Sequence, residues 1–112
     1  MISAQRVIGG TLISYDQYQS AGSPRPQTLL YLHGWRSDKN AWRPLAERLA
    51  EAGYSGYALD LPGFGGTAAP PAPWDIGRYA EFVQQFIGAL SLKRICLIGH
   101  SFGGRIGIKL TV

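Results

Sequence analysis

Only one cysteine, Cys96, occurs in the 112 residues, which excludes an internal disulfide and a zinc site built from cysteines. It lies inside Ile95-Cys96-Leu97-Ile98, an apolar run, and reads as a small buried hydrophobe in a strand rather than a reactive thiol. No run of 18 apolar residues exists, so no membrane span is expected. The opening Met1-Ile2-Ser3-Ala4-Gln5-Arg6 lacks a basic stretch followed by an apolar one. It therefore carries no signal-peptide pattern, and the expected home is cytoplasmic. Acids are scarce, seven Asp and Glu against eleven Lys and Arg, giving a formal charge of +4. The basic residues are spread mostly singly from Arg6 to Lys109, with the excess in Lys93, Arg94, Arg105 and Lys109. A nucleic-acid binder gathers them on one stripe, so no nucleic-acid partner is expected.

What is present is the composition of a folded domain: 46% hydrophobic and 16% charged, with no internal repeat and room for one domain only. Residues 6–19 read as a hairpin turning at Gly9-Gly10, and residues 20–27, with Gly22, Pro24 and Pro26, as a loop. Thr28 to Leu32 is a continuous apolar run, the pattern of a strand buried on both faces. Trp42, Leu45, Ala46, Leu49 and Ala52 share one helical face, with Asp38 or Asn40 as cap, an early Pro44, and Gly53 as stop. Tyr54 to Leu61 reads as a second strand. Asp75 caps a second helix, whose apolar positions run from Ile76 through Tyr79, Ala80, Val83, Phe86 and Ile87 to Leu90. Ile95 to Ile98 reads as a third buried strand, and a further helix starts near Arg105. Strands alternating with helices predict an α/β fold, a three-layer α/β/α sandwich on a mostly parallel sheet.

Chemistry concentrates in Gly99-His100-Ser101-Phe102-Gly103-Gly104, between a strand and a helical start. A strand that turns this sharply into a helix holds its central residue in a strained conformation and brings the residues two before and two after it close together. Small side chains are needed at both places. The serine hydroxyl is thereby lifted onto the rim of the sheet, at a helix N-terminus that favours developing negative charge.

With Leu32-His33-Gly34-Trp35 and Asp60-Leu61-Pro62-Gly63-Phe64-Gly65 before it, in the family's order and approximate spacing, the chain resembles the α/β-hydrolase family over nearly its whole length. The resemblance implies a nucleophilic Ser101, with the backbone N–H groups of Trp35 and Phe102 forming an oxyanion hole and Gly34 giving the loop freedom to aim its amide. It implies that His33 orders that loop rather than acting as base, that His100 packs beside the nucleophile, and that Asp60 ties down the Pro-Gly turn more than it serves as an acid. It implies a small-molecule acyl ester as substrate. A serine at the elbow argues against haloalkane or epoxide chemistry, for which related proteins use Asp. The motif pairing is similar to that of small carboxylesterases, including those acting on pimeloyl esters, and is too widespread to fix a substrate. No cofactor or metal is implied: Gly63-Phe64-Gly65-Gly66 lacks the third spaced glycine of a dinucleotide loop and the Lys-Ser/Thr of a P-loop. Trp42 and the other aromatics at helical spacing read as core, and Ala68 to Trp74 as the lining of an entrance.

In this family the triad runs Ser, then Asp or Glu, then His along the chain. After Ser101 the residues Phe102 to Val112 include none of these. The expectation is the N-terminal part, residues 1–112, of a single α/β-hydrolase domain, incomplete at its C-terminus and inactive alone. As a truncated sequence it would belong to an ordinary serine hydrolase. As a genuine fragment it would bind a complementary C-terminal segment or chain along the open, apolar edge left by residues 95–98.

Overall fold

The structure is a computed structural model that describes all residues 1–112. Strands β1 (Ile2–Ile8) and β2 (Thr11–Tyr18) form the hairpin, turning at Gly9-Gly10 where both φ angles are positive (55° and 83°). Strand β3 (Thr28–Leu32) leads through a short 3-10 turn, Lys39–Trp42, into helix α1 (Arg43–Glu51). Strand β4 (Ser55–Leu59), helix α2 (Ile76–Ala89), strand β5 (Ile95–Gly99) and helix α3 (Phe102–Thr111) follow. The sheet order is β1-β2-β4-β3-β5, antiparallel from β1 to β4 and parallel from β4 through β3 to β5.

This order explains the layers. The chain steps from β3 to β4 in one direction through α1, then returns past β3 to β5 through α2. Right-handed crossovers in opposite directions place their helices on opposite faces. Alternation within β3 serves both. Leu30 and Leu32 face the core with Val83 and Phe86 of α2 and Ile106 of α3, whereas Leu29 and Tyr31 face Ala46 of α1. The turn before α1 is capped by Asp38, whose carboxylate accepts the Asn40 N–H at 2.8 Å. Asp75 caps α2 by accepting the Arg78 N–H at 2.9 Å. No helix is long and apolar enough to cross a membrane.

Three expectations need correction. The hairpin strands are longer than residues 6–19, because β1 pairs from Ile2 although its side chains stay mostly exposed, so periodicity gave no signal there. Of the apolar stripe on α1, only Ala46 is fully buried; Leu45 is 42% exposed, because the stripe is wider than the helix's contact with the sheet. Strand β5 is not buried on both faces: it borders the sheet, and Cys96 is exposed beside half-buried Ile95, Leu97 and Ile98.

Candidate active site

Three parallel strands end side by side, and the segments leaving them make the site: His33-Gly34-Trp35 after β3, Asp60 to Gly66 after β4, His100-Ser101 after β5. This is the carboxyl end of the sheet, at the point where the strand order reverses, the place where open α/β sheets bind ligands.

Ser101 has φ 53° and ψ −109°, a conformation that L residues rarely adopt. Close approach on either side imposes it. A Cβ on Gly99 would lie 2.7 Å from the Gly103 backbone, and one on Gly103 would overlap the Leu32 carbonyl. The elbow is also tied to β3, with the His100 N–H donating to the Leu32 oxygen at 3.1 Å. Ser101 precedes α3 without capping it, so its side chain is exposed and not engaged by the helix it introduces.

His33 is completely buried and makes two hydrogen bonds that fix its tautomer. Nε2 accepts the Leu61 N–H at 3.1 Å, so the ring proton is on Nδ1, which donates to the Gly34 carbonyl at 2.8 Å. Burial holds its pKa below the ordinary histidine value, against the Gly34 carbonyl and the nearby Asp60 and Asp38 carboxylates, which pull it up. The imidazole is thus neutral and occupied on both nitrogens.

The Gly34 carbonyl accepts a second hydrogen bond, from the Ser37 N–H at 3.1 Å. With that oxygen held twice, the planar trans peptide turns the Trp35 N–H the opposite way. That amide donates to no acceptor in the protein. The Phe102 N–H, first in α3, has no partner within its helix either. The φ of Gly34 is not in the left-handed region, and its missing side chain provides room, since a Cβ would lie 2.9 Å from Nδ1 of the exposed His100.

Asp60, 3% exposed, ties two loops to the end of β4. One carboxylate oxygen accepts the Lys39 N–H at 2.8 Å and the other the Gly66 N–H at 2.8 Å. Sequence reading missed the partner of this clamp. Lys39 Nζ lies 3.3 Å from buried Asp16, which also accepts from Ser3 Oγ at 2.7 Å. Asp16 occupies an ordinary strand position, and nothing local marks it.

Trp35, Phe64 and Phe102 meet edge to face or tilted, with ring centroids 5.1–6.1 Å apart. Tyr79 of α2 packs on Phe102 at 5.0 Å and donates its hydroxyl to the Pro62 carbonyl at 2.9 Å. Its helical spacing marked it as core, and it is core, yet it also lines a cleft of about 410 Å³ with the three aromatics above and the 69–74 segment. Trp42, by contrast, packs on Tyr31 within the α1 layer.

Residues 27–111 match the family described as alpha/beta hydrolase fold. The chain belongs to the α/β-hydrolase family. It is 34% identical over 90 residues to 2-succinyl-6-hydroxy-2,4-cyclohexadiene-1-carboxylate synthase of Salmonella paratyphi C (strain RKS4594), covering 78% of this chain and 33% of that protein. The chain thus spans about a third of the length of that relative. Among solved structures, a membrane phospholipase A described as a bacterial virulence factor superposes with TM-score 0.86 at 36% identity, covering 97% of this chain and 34% of that one. An esterase from Exiguobacterium antarcticum superposes with TM-score 0.85 at 29% identity, covering 97% of this chain and 39% of its own.

Proposed function

We propose that this chain carries the nucleophile half of a serine hydrolase acting on carboxylic esters. The observation that carries the reading is the backbone of Ser101: a non-glycine residue held at positive φ, its side chain exposed at the carboxyl end of the sheet. Strain of this kind is kept where the surrounding structure imposes it, and here Gly99, Gly103 and Leu32 do so.

In the proposed reaction, Ser101 Oγ bonds to the acyl carbon as a general base takes its proton. The carbonyl oxygen becomes an oxyanion facing the free amides of Trp35 and Phe102, and losing one such donor costs about 3–4 kcal/mol in comparable sites. The bond to the alkoxy oxygen then breaks, the proton passes to the leaving alcohol, and water releases the acid from the acyl-enzyme by the same steps. Neither nearby imidazole serves as that base. His33 has both nitrogens occupied, and the exposed His100 has its Nδ1 against Gly34, where a Cβ would lie 2.9 Å from it. The base and its orienting acid come from residues outside these 112 or from a second chain. Epoxide opening fits a serine poorly, because it would leave a stable ether on Oγ where a carboxylate would leave a hydrolysable ester.

A second reading is a non-catalytic half-domain that acts by binding a complementary C-terminal half, favoured by the open strand β5 with its exposed Cys96. Co-expression with such a half separates the two. An active-site phosphonate should label Ser101 in the complex and esterase activity should disappear in Ser101→Ala. A complex that forms but never labels leaves only the second reading.

A further inference from the structure

The cleft beside Ser101 differs from an ordinary polar active-site mouth in what it lacks. No Asp, Glu, Lys, Arg or His lines it. One wall is the segment 69–74, in which Pro70, Pro71 and Pro73 have no N–H to donate. The rest of the lining is Gly63, the rings of Trp35, Phe64 and Phe102, and Tyr79, whose hydroxyl proton is already given to Pro62. The cation in contact with this wall, Arg78, lies over the Trp74 ring at 5.2 Å and pairs with Glu81 at 3.7 Å, outside the lining. A carboxylate entering such a space would exchange its water for no cationic side chain, the Trp35 and Phe102 amides being those proposed to hold the ester carbonyl, whereas a flat apolar ring would gain edge and face contacts with five aromatic side chains.

We propose that this cleft takes an uncharged aryl or cyclic group flanking the ester carbonyl and excludes carboxylate-bearing substrates. The inference rests on Ser101 as nucleophile for its catalytic meaning, but not for its binding prediction. Its volume, about 410 Å³, falls within the range of small-molecule sites.

Two ligands with the same ring and the same acetyl carbonyl test it: neutral 2-acetonaphthone and anionic 6-acetyl-2-naphthoate, titrated into the 112-residue chain and followed by tryptophan fluorescence. The expected result is binding of the ketone at least about 100-fold tighter than the carboxylate. Ser101→Ala should leave that preference unchanged, and Phe64→Ala should weaken the ketone about tenfold. Should Phe64→Ala not fold, Ala69→Lys replaces it: Ala69 is exposed on the cleft wall, and a cation there should draw naphthoate in. Equal or tighter binding of naphthoate by the unmodified chain would overturn the proposal. Phosphonate labelling is read separately. A chain that prefers the ketone but never labels with any complementary half refutes the hydrolase reading alone. One that labels but prefers naphthoate refutes the cleft reading alone.

Discussion

The Nε2 atom of His33 accepts the backbone N–H of Leu61 at 3.1 Å, joining the ends of β3 and β4 across 28 positions of sequence. Because the other ring nitrogen donates to Gly34, one side chain fixes both the spacing of two loops and the direction of the Trp35 amide. Replacing His33 by Ala should therefore do two things. It orphans a buried amide, at about 1–3 kcal/mol, and it frees the Gly34–Trp35 peptide to rotate. Urea denaturation measures the first. For the second, the phosphonate labelling rate of Ser101 in the complemented protein should fall more than the stability loss explains. An unchanged labelling rate in a folded variant would show that the Trp35 amide is not aimed by this histidine.

The same residue sets a pH dependence. Its pKa is lowered in the folded chain, so the unfolded chain binds the proton first as pH falls. Stability from this source is complete above the unfolded value of about 6.5 and declines as pH drops below it, levelling off once the folded pKa is passed. The slope cannot exceed about 1.4 kcal/mol per pH unit for one proton. Denaturation midpoints measured between pH 7 and pH 5 should fall in the unmodified chain and lie flatter in His33→Gln. Equal slopes would assign the effect to other groups.

Strain at Ser101 makes a prediction of opposite sign for stability and function. Glycine adopts positive φ without penalty, so Ser101→Gly should relieve part of a strain of about 1–3 kcal/mol, less the entropy that a new glycine loses on folding. A variant that is as stable as the parent or more so, and that cannot be labelled, is the expected outcome. A clear loss of stability would mean that the elbow is not strained.

How much of this was legible in the sequence depends on how local its cause is. The elbow was legible because the close passage of residues 99 and 103 demands glycines at fixed spacing, and the helices because their caps and apolar stripes are local. The hairpin was under-read because a mostly exposed outer strand such as Ile2–Ile8 carries no period. Cys96 was read as buried because apolar runs in strands are usually covered on both faces, whereas its side chain stands exposed on β5, the strand that borders the sheet. Lys39 and Asp16 could not be paired from sequence at all, since only the folded sheet brings them together. The aromatic wall shares that origin: Trp35, Phe64, Trp74, Tyr79 and Phe102 come from four separate segments, and spacing along the chain does not report their convergence.

The clamp on the 60–66 loop gives the most selective substitution. Both oxygens of Asp60 accept backbone N–H groups, Lys39 on one side and Gly66 on the other, and an asparagine can accept at only one of them. Its NH₂ would face an N–H, so Asp60→Asn, nearly identical in shape, should cost about 1–3 kcal/mol by leaving one buried donor unpaired against another. The loop that loses its anchor carries Phe64, which packs on Trp35 and Phe102. The same variant should therefore loosen the aromatic wall and weaken acetonaphthone binding. Asp60→Ala removes the opposing NH₂, and water can enter the gap left at the exposed Gly66 side. Similar losses in Asp60→Asn and Asp60→Ala would show that the missing carboxylate matters. A much larger loss in Asp60→Asn would show that the facing donors do. Full stability and unchanged binding in both variants would mean that the loop is held by other contacts, with the Gly63 N–H to Ala68 carbonyl bond at 3.1 Å the first to examine.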